Sequence, residues 1–238
     1  MFEYLFDFKG YGPELLRGAF LTAQLAGLSL LLALVLGLAG AAAKLSSSRA
    51  ARGIALTYTT LIRGVPDLVM MMLIFYGGQA LLNMLSDFVY NEWDIDFFIN
   101  VDQFIAGVLS IGFIFGAYMA ETFRGAFLAV PDGQLEAGRA YGMSEWQVFR
   151  RIMVPQMIRH AIPGVGNNWL VMLKTTALVS IIGLTDIVRV ASEASKSLHL
   201  PFKFFIPVVL FYLLMTLVSE LFLKYLSRRY SVGVREVA

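Results

Sequence analysis

Five stretches of this chain are long and apolar enough to match a hydrocarbon core, which a helix crosses in roughly 20 residues at 1.5 Å rise each. They fall near residues 19–43, 66–82, 104–120, 161–184 and 204–223. The second and third are short for the task and are expected to extend into their polar flanks. Between the third and fourth the pattern changes. Pro131-Asp132-Gly133 is turn material, and Gln134 to Tyr141 holds good helix formers, with Gly142 placed as a C-terminal stop. Ser144-Glu145-Trp146-Gln147 then fits a capping box, with Met143 and Val148 at the spacing of a hydrophobic staple. This second short helix is expected over about 145–153, stopping before Pro155.

Composition agrees with a membrane protein. Of 238 residues, 58% are hydrophobic and 15% charged, whereas soluble domains carry about 25% charged residues. The net charge of +2 gives no field for nucleic acid. With no cysteine, and only His160 and His199, disulfides, thiolate catalysis and Cys- or His-based metal sites drop out. An intramembrane enzyme is the rival reading, but neither histidine lies well inside an apolar block.

The placement of charge says more than its sum. Lys44, Arg49, Arg52 and Arg63 follow the first block with no acid between them, whereas Asp87, Glu92, Asp94, Asp96 and Asp102 sit between the second and third with no base. Basic residues mark cytoplasmic loops. Segments 44–64 and 121–160 and the tail with Lys224, Arg228, Arg229 and Arg235 are therefore expected inside, and the acidic loop outside. Five crossings then leave the N-terminus outside and the C-terminus inside. Phe88, Tyr90, Trp93, Phe97 and Phe98 in the outer loop read either as an interfacial belt or as a seat for a binding protein.

Glu136-Ala137-Gly138-Arg139-Ala140-Tyr141-Gly142, followed nine residues later by Ile152-Met153-Val154-Pro155, resembles the EAA loop of bacterial ABC importer permeases. Gly138 replaces the second Ala and Val154 a Leu, changes expected only to weaken the helix slightly. The resemblance spans nearly the whole chain and extends to Arg63-Gly64-Val65-Pro66 and Ala120-Glu121-Thr122-Phe123-Arg124-Gly125. Residues 58–67, 228–234 and Gly166-Asn167-Asn168-Trp169 are similar to one of the two permease subunits of the histidine/lysine/arginine/ornithine group of polar amino-acid importers.

The resemblance implies an all-α, integral membrane fold of the type I ABC importer kind, one permease domain over 1–238 with a cytoplasmic coupling loop at about 131–155. It implies bacterial inner-membrane localisation, a second homologous permease, two ATPase subunits and a periplasmic amino-acid-binding protein. Glu136, Ala137, Gly138, Arg139, Ala140, Gly142, Ile152 and Pro155 are the residues it assigns to ATPase coupling, although Arg139 also reads as a plain solvated charge. No cofactor is expected on this chain. It lacks G-x-x-x-x-G-K-[ST], and Gly164-Val165-Gly166 is followed by Asn167 where a phosphate-binding Lys would stand, so ATP and Mg belong to the partner ATPase. The cargo implied is a basic amino acid; glutamine, glutamate, cystine or an opine are the alternatives.

Five polar residues are candidates for the substrate pathway: Glu121, Asn167, Asn168, Lys174 and Thr175. Lys174 stands about midway along the fourth block, where a charge costs roughly 2.5–3.5 kcal/mol and is expected to find a partner. At 100° per residue Asn167, Lys174 and Ile181 share one face, and Asn168, Thr175 and Ile182 lie beside it. Hydrogen-bonded helix packing is the competing reading for this stripe. Many relatives have Asn-Glu in place of Asn167-Asn168, so a carboxylate for a cationic cargo has to come from elsewhere, Glu121 or the sister permease. Asp67 after Pro66 reads as a helix cap or a substrate contact. Glu220 and Lys224 read as an i,i+4 ion pair, and Gly112 and Gly116 as a close helix contact at a dimer seam.

Overall fold

The computed structural model describes residues 8–95 and 98–230, and every regular element among them is helical. Asp96 and Phe97 of the acidic loop, with Ser231, Val232, Gly233, Val234 and Arg235 of the tail, lie outside the described residues. Helix α1 (Gly12–Leu45) begins with Pro13 and Glu14 in its first turn and ends on Lys44, the charge order that complements the helix dipole. After Ser48, whose hydroxyl accepts from the Ala51 amide, comes α2 (Arg49–Gly64). Helix α3 runs over Asp67–Trp93, with a π-helical turn at Leu73–Gly77, and closes on Asp94 in the left-handed region. Asp102 caps α4 (Gln103–Leu128) by accepting from the Ile105 amide at 2.9 Å.

The core of the molecule is the pairing of α1 with α4. The two helices run parallel: Leu25 meets Gly107, Leu32 meets Gly112, Leu36 meets Gly116, and Gly37 meets Met119. A Cβ on Gly112 would lie 2.6 Å from Leu32 Cδ2, and one on Gly116 2.8 Å from Leu36 Cβ, so these two glycines admit a neighbouring helix of the same chain. That corrects the dimer-seam expectation for Gly112 and Gly116. Because α1 and α4 point the same way, the chain returns between them through α3. Gln79 ties that return: its amide donates to the Ile99 carbonyl and its oxygen accepts from the Val101 amide.

Segment 44–64 is more than a connector. Helix α2 turns Ala55, Thr59 and Ile62 inward at i, i+4, i+7 spacing, and the Tyr58 hydroxyl donates to the carbonyl of Phe113, close to the middle of α4. The basic residues of α2 therefore lie alongside a membrane-length helix.

Helix α5 (Asp132–Ala140) follows the third block. The next helix, α6, starts at Glu145–Val148, passes a π-helical turn at Phe149–Met153 and continues over Val154–Thr175. The expected stop before Pro155 is thus absent. In the wider turn the Val154 amide reaches back to the Phe149 carbonyl, and Pro155, which has no N–H to donate, follows directly after that turn. The fourth block is also shorter than expected: α6 ends at Thr175, a 3₁₀ turn covers Thr176–Ser180, and Gly183 has φ +103°.

Four of the described helices, α1, α3, α4 and α8 (Pro201–Tyr230), are long and apolar enough to cross a membrane. Helix α6 is not among them, because Pro163, Asn167, Asn168 and Lys174 dilute its apolar run. Glu220 and Lys224 on α8 are both exposed and form no ion pair with each other, as is common for long side chains on an open helix face.

Helix α7 (Ile187–Leu198) forms a second, smaller core, with Ile187, Val190, Ala191 and Ala194 against Leu15 of α1 and Phe204 and Val208 of α8. Its cap, Asp186, is wholly buried and accepts from the Val188 and Arg189 amides at 3.3 and 3.0 Å. Burial pushes this carboxyl up to about 6 despite those bonds and the nearby Arg189 charge.

Candidate functional site

The inner loop is built as a closed unit. Helix α5 ends in a Schellman motif: the Gly142 amide donates to the Arg139 carbonyl and the Met143 amide to the Gly138 carbonyl, with Gly142 at φ +79°. One residue later the capping box forms in full, Gln147 N–H to Ser144 Oγ and Ser144 N–H to Gln147 Oε1. Val148 is buried and Met143 half-buried against the same core, as a staple requires. Arg139 closes the bend by a two-pronged bridge to Glu145 at 2.7 and 3.1 Å. Hydrogen bonding to Glu145 raises the Arg139 guanidinium, and the same bond lowers the Glu145 carboxyl.

Within this unit Gly138 and Leu135 are buried, while Glu136, Ala137, Ala140, Tyr141 and Gly142 face outward. Gly138 is a packing position: a Cβ there would lie 2.5 Å from Ile152 Cδ1 and 3.3 Å from Val148 Cγ2. Ile152 therefore acts from below, seating α5 on α6, and Pro155 lies exposed at the start of the following segment. The outward face also carries Tyr141, 89% exposed, and Trp146 stacked on Phe149 with ring centroids 5.8 Å apart. Pattern reading missed these aromatics as surface groups. The available signal was large rings in a segment otherwise polar.

The polar stripe of α6 splits in two. Asn168 donates to Thr122 Oγ1 of α4 at 2.9 Å, Trp169 Nε1 donates to Ser219 Oγ of α8 at 2.8 Å, and Thr175 returns its hydroxyl to the Val171 carbonyl. Gly164 lies against Thr122, and Gly166 against Leu223. Asn168, Thr175 and Ile182 thus face the bundle. Asn167, Lys174 and Ile181 are exposed, and the partner expected for Lys174 is not found among the described residues.

Glu121 lines a cavity of about 710 Å³ between α2 and α4, together with Lys44, Arg52, Arg63, Tyr118 and Arg124. Its carboxylate is held from two sides, by Lys44 Nζ and by Arg124 Nε at 3.0 Å. The Arg63 guanidinium lies 5.6 Å over the Tyr118 ring. Asp67, in the first turn of α3, pairs with the Tyr118 hydroxyl, so its side chain reaches across to α4. Among the described residues no group of three or more His, Asp or Glu side chains is placed to hold a metal ion.

Residues 30–232 match the family described as binding-protein-dependent transport system inner membrane component. The chain belongs to this permease family. The permease is 52% identical over 226 residues to the histidine/lysine/arginine/ornithine transport system permease protein HisQ of Salmonella typhimurium, covering 95% of this chain and 97% of that one. It is 39% identical to the octopine transport system permease protein OccQ of Rhizobium meliloti, over 95% of this chain and 94% of the relative.

Among solved structures, a crystal structure of an amino acid ABC transporter with histidines superposes with a TM-score of 0.76 at 33% identity, over 92% of this chain and 95% of that one. The inward-facing MetNI methionine ABC transporter superposes with a TM-score of 0.67 at 14% identity, over 91% and 95%, a likeness of fold. The permease is an inner-membrane transport subunit and is not itself catalytic, which sets aside the intramembrane-enzyme reading.

Proposed function

We propose that this permease forms half of the pore of an ATP-driven importer of basic amino acids, with histidine, lysine, arginine and ornithine as the cargo class. Five spans, including α6, would carry the chain from an outside N-terminus to an inside C-terminus. The observation that carries the reading is the inner loop: a short helix, a Schellman bend and a capped helix, continuous with α6 and presenting Glu136, Ala137, Ala140 and Tyr141 outward. Such a surface suits the groove of a separate ATPase subunit, which would hold ATP and Mg. A second homologous permease would cover the exposed Asn167–Lys174 face, and a periplasmic binding protein would deliver cargo to the outer side. The cargo assignment draws on the HisQ relative; the octopine relative favours an opine as the second reading, and the ligand specificity of the binding protein separates the two.

Glu136→Lys and Gly142→Trp are expected to abolish uptake and cargo-stimulated ATPase activity while the chain still inserts in the membrane, measured as radiolabelled amino-acid uptake beside membrane-fraction immunoblots. Full uptake in Gly142→Trp would overturn the coupling role of the loop.

A further inference from the structure

We propose that the cavity between α2 and α4 is an anion site that takes the α-carboxylate of the transported amino acid, with Arg63 and Arg52 as its ligands. The inference rests on the importer reading and specifies which end of the cargo this subunit holds.

The first argument is the charge inventory. Four cations line the cavity, Lys44, Arg52, Arg63 and Arg124, against one carboxylate, Glu121. Lys44 and Arg124 both close on Glu121. Arg52 and Arg63 have no ion pair among the described residues. The cavity thus holds a satisfied triad and two guanidinium groups without a counter-charge. A guanidinium offers a carboxylate two parallel hydrogen bonds, the geometry in which Arg pairs most strongly.

Depth is the second argument. The Tyr58 bond to Phe113 sets α2 beside the middle of α4, and Arg63 lies over Tyr118 farther along the same helix. An arginine facing lipid alongside a membrane-length helix is costly, most of all toward the bilayer centre. Arg63 therefore faces water or protein, and an anion offsets its desolvation.

The third argument is the neighbouring acid. Asp67 is held by the Tyr118 hydroxyl rather than by a cation, next to the ring that Arg63 covers. An α-amino acid carries its ammonium one carbon from its carboxylate. With the carboxylate on Arg63 and Arg52, Asp67, four residues beyond Arg63 and bonded to the Tyr118 that lines the cavity, is the acceptor assigned to the ammonium. The cationic side chain of a basic cargo then points out of the cation-lined cavity. Glu121, already held by two cations, is a support for the cavity and not the acceptor of that side chain. The phosphate of an anionic lipid headgroup shares the recognition chemistry, so the test separates the two sources.

Binding of L-arginine and of agmatine, which is arginine without its carboxylate, is to be measured on the complete transporter in nanodiscs. Arg63→Gln is expected to weaken L-arginine binding tenfold or more and leave agmatine unchanged, Arg63→Lys to recover part of the loss, and Asp67→Asn to weaken both ligands. Equal losses for both ligands in Arg63→Gln, or no loss for either, overturn the assignment. So does loss of co-purifying anionic phospholipid with arginine binding intact, which gives the cavity to lipid. A wild-type transporter that imports no basic amino acid defeats the importer reading itself, and the wild-type control tells that failure from the others.

Discussion

At Gly142 an added Cβ would meet no atom within 4 Å, so the penalty for a side chain lies in the backbone, at φ +79°, where L-residues lose roughly 1–2 kcal/mol. At Gly138 the backbone is ordinary helix and the penalty is steric, with Ile152 and Val148 packed over the position. Glycine therefore serves the bend at one site and the seating of α5 at the other. Asp186 makes a prediction of its own. Its folded-state pKa, raised to about 6 by burial from 3.8, means that the native state binds the proton more tightly than the unfolded chain. The stabilisation from protonation is complete below about pH 4 and is lost as pH rises through 6. Asp186→Asn, which keeps a good N-cap, is expected to flatten that part of the thermal stability profile measured between pH 4 and 7. An unchanged slope in the variant would exclude Asp186 as its source.

The parallel packing of α1 on α4 predicts a sharp contrast between glycines of one helix. Gly112→Leu forces a branched side chain into Leu32, and overpacking of this kind costs about 1–3 kcal/mol or more. Gly125, with nothing within 4 Å, accepts the same change. The fraction of monodisperse protein after detergent extraction, read by size-exclusion chromatography, is expected to fall for Gly112→Leu and hold for Gly125→Leu. The inner loop was legible in the sequence because its signals are local: Gly142, Ser144 with Gln147, and Met143 with Val148 each act within six residues. What was not legible depends on distant partners. Pro155 reads as a stop until the π-turn before it supplies an alternative hydrogen bond. Arg52 and Arg63 read as inner-loop charges until Tyr58 finds Phe113, 55 residues away. Glu121 reads as a carboxylate for a cationic cargo until Lys44 reaches it across 77 residues.

For the whole molecule the largest feature is uneven cover. Half of the residues of helix α4 are buried, whereas α3 buries only Met71, and α8 only Lys203, Phe204, Val208 and Ser219. Lipid and the proposed second permease would cover those bare flanks. The absence of cysteine makes the proposed orientation directly testable. A single cysteine at Asp94, Asp94→Cys, is expected to react with a membrane-impermeant maleimide in intact spheroplasts, and Arg150→Cys only after lysis. The reverse pattern would invert the proposed topology.

Helix α6 has a mechanical consequence. From residue 145 to 175 it is a rod of about 46 Å, and it is gripped at 164–169 by Thr122, Ser219 and Leu223. That grip is a fulcrum, leaving an inner arm of about 32 Å toward the loop and an outer arm of about 14 Å toward Lys174. Displacement of the loop end about this grip would move the Lys174 end the opposite way by less than half as far. Pro163, where one rung of the helix is missing, sits beside the pivot, while the π-turn at Phe149–Met153 and Pro155 lie along the inner arm.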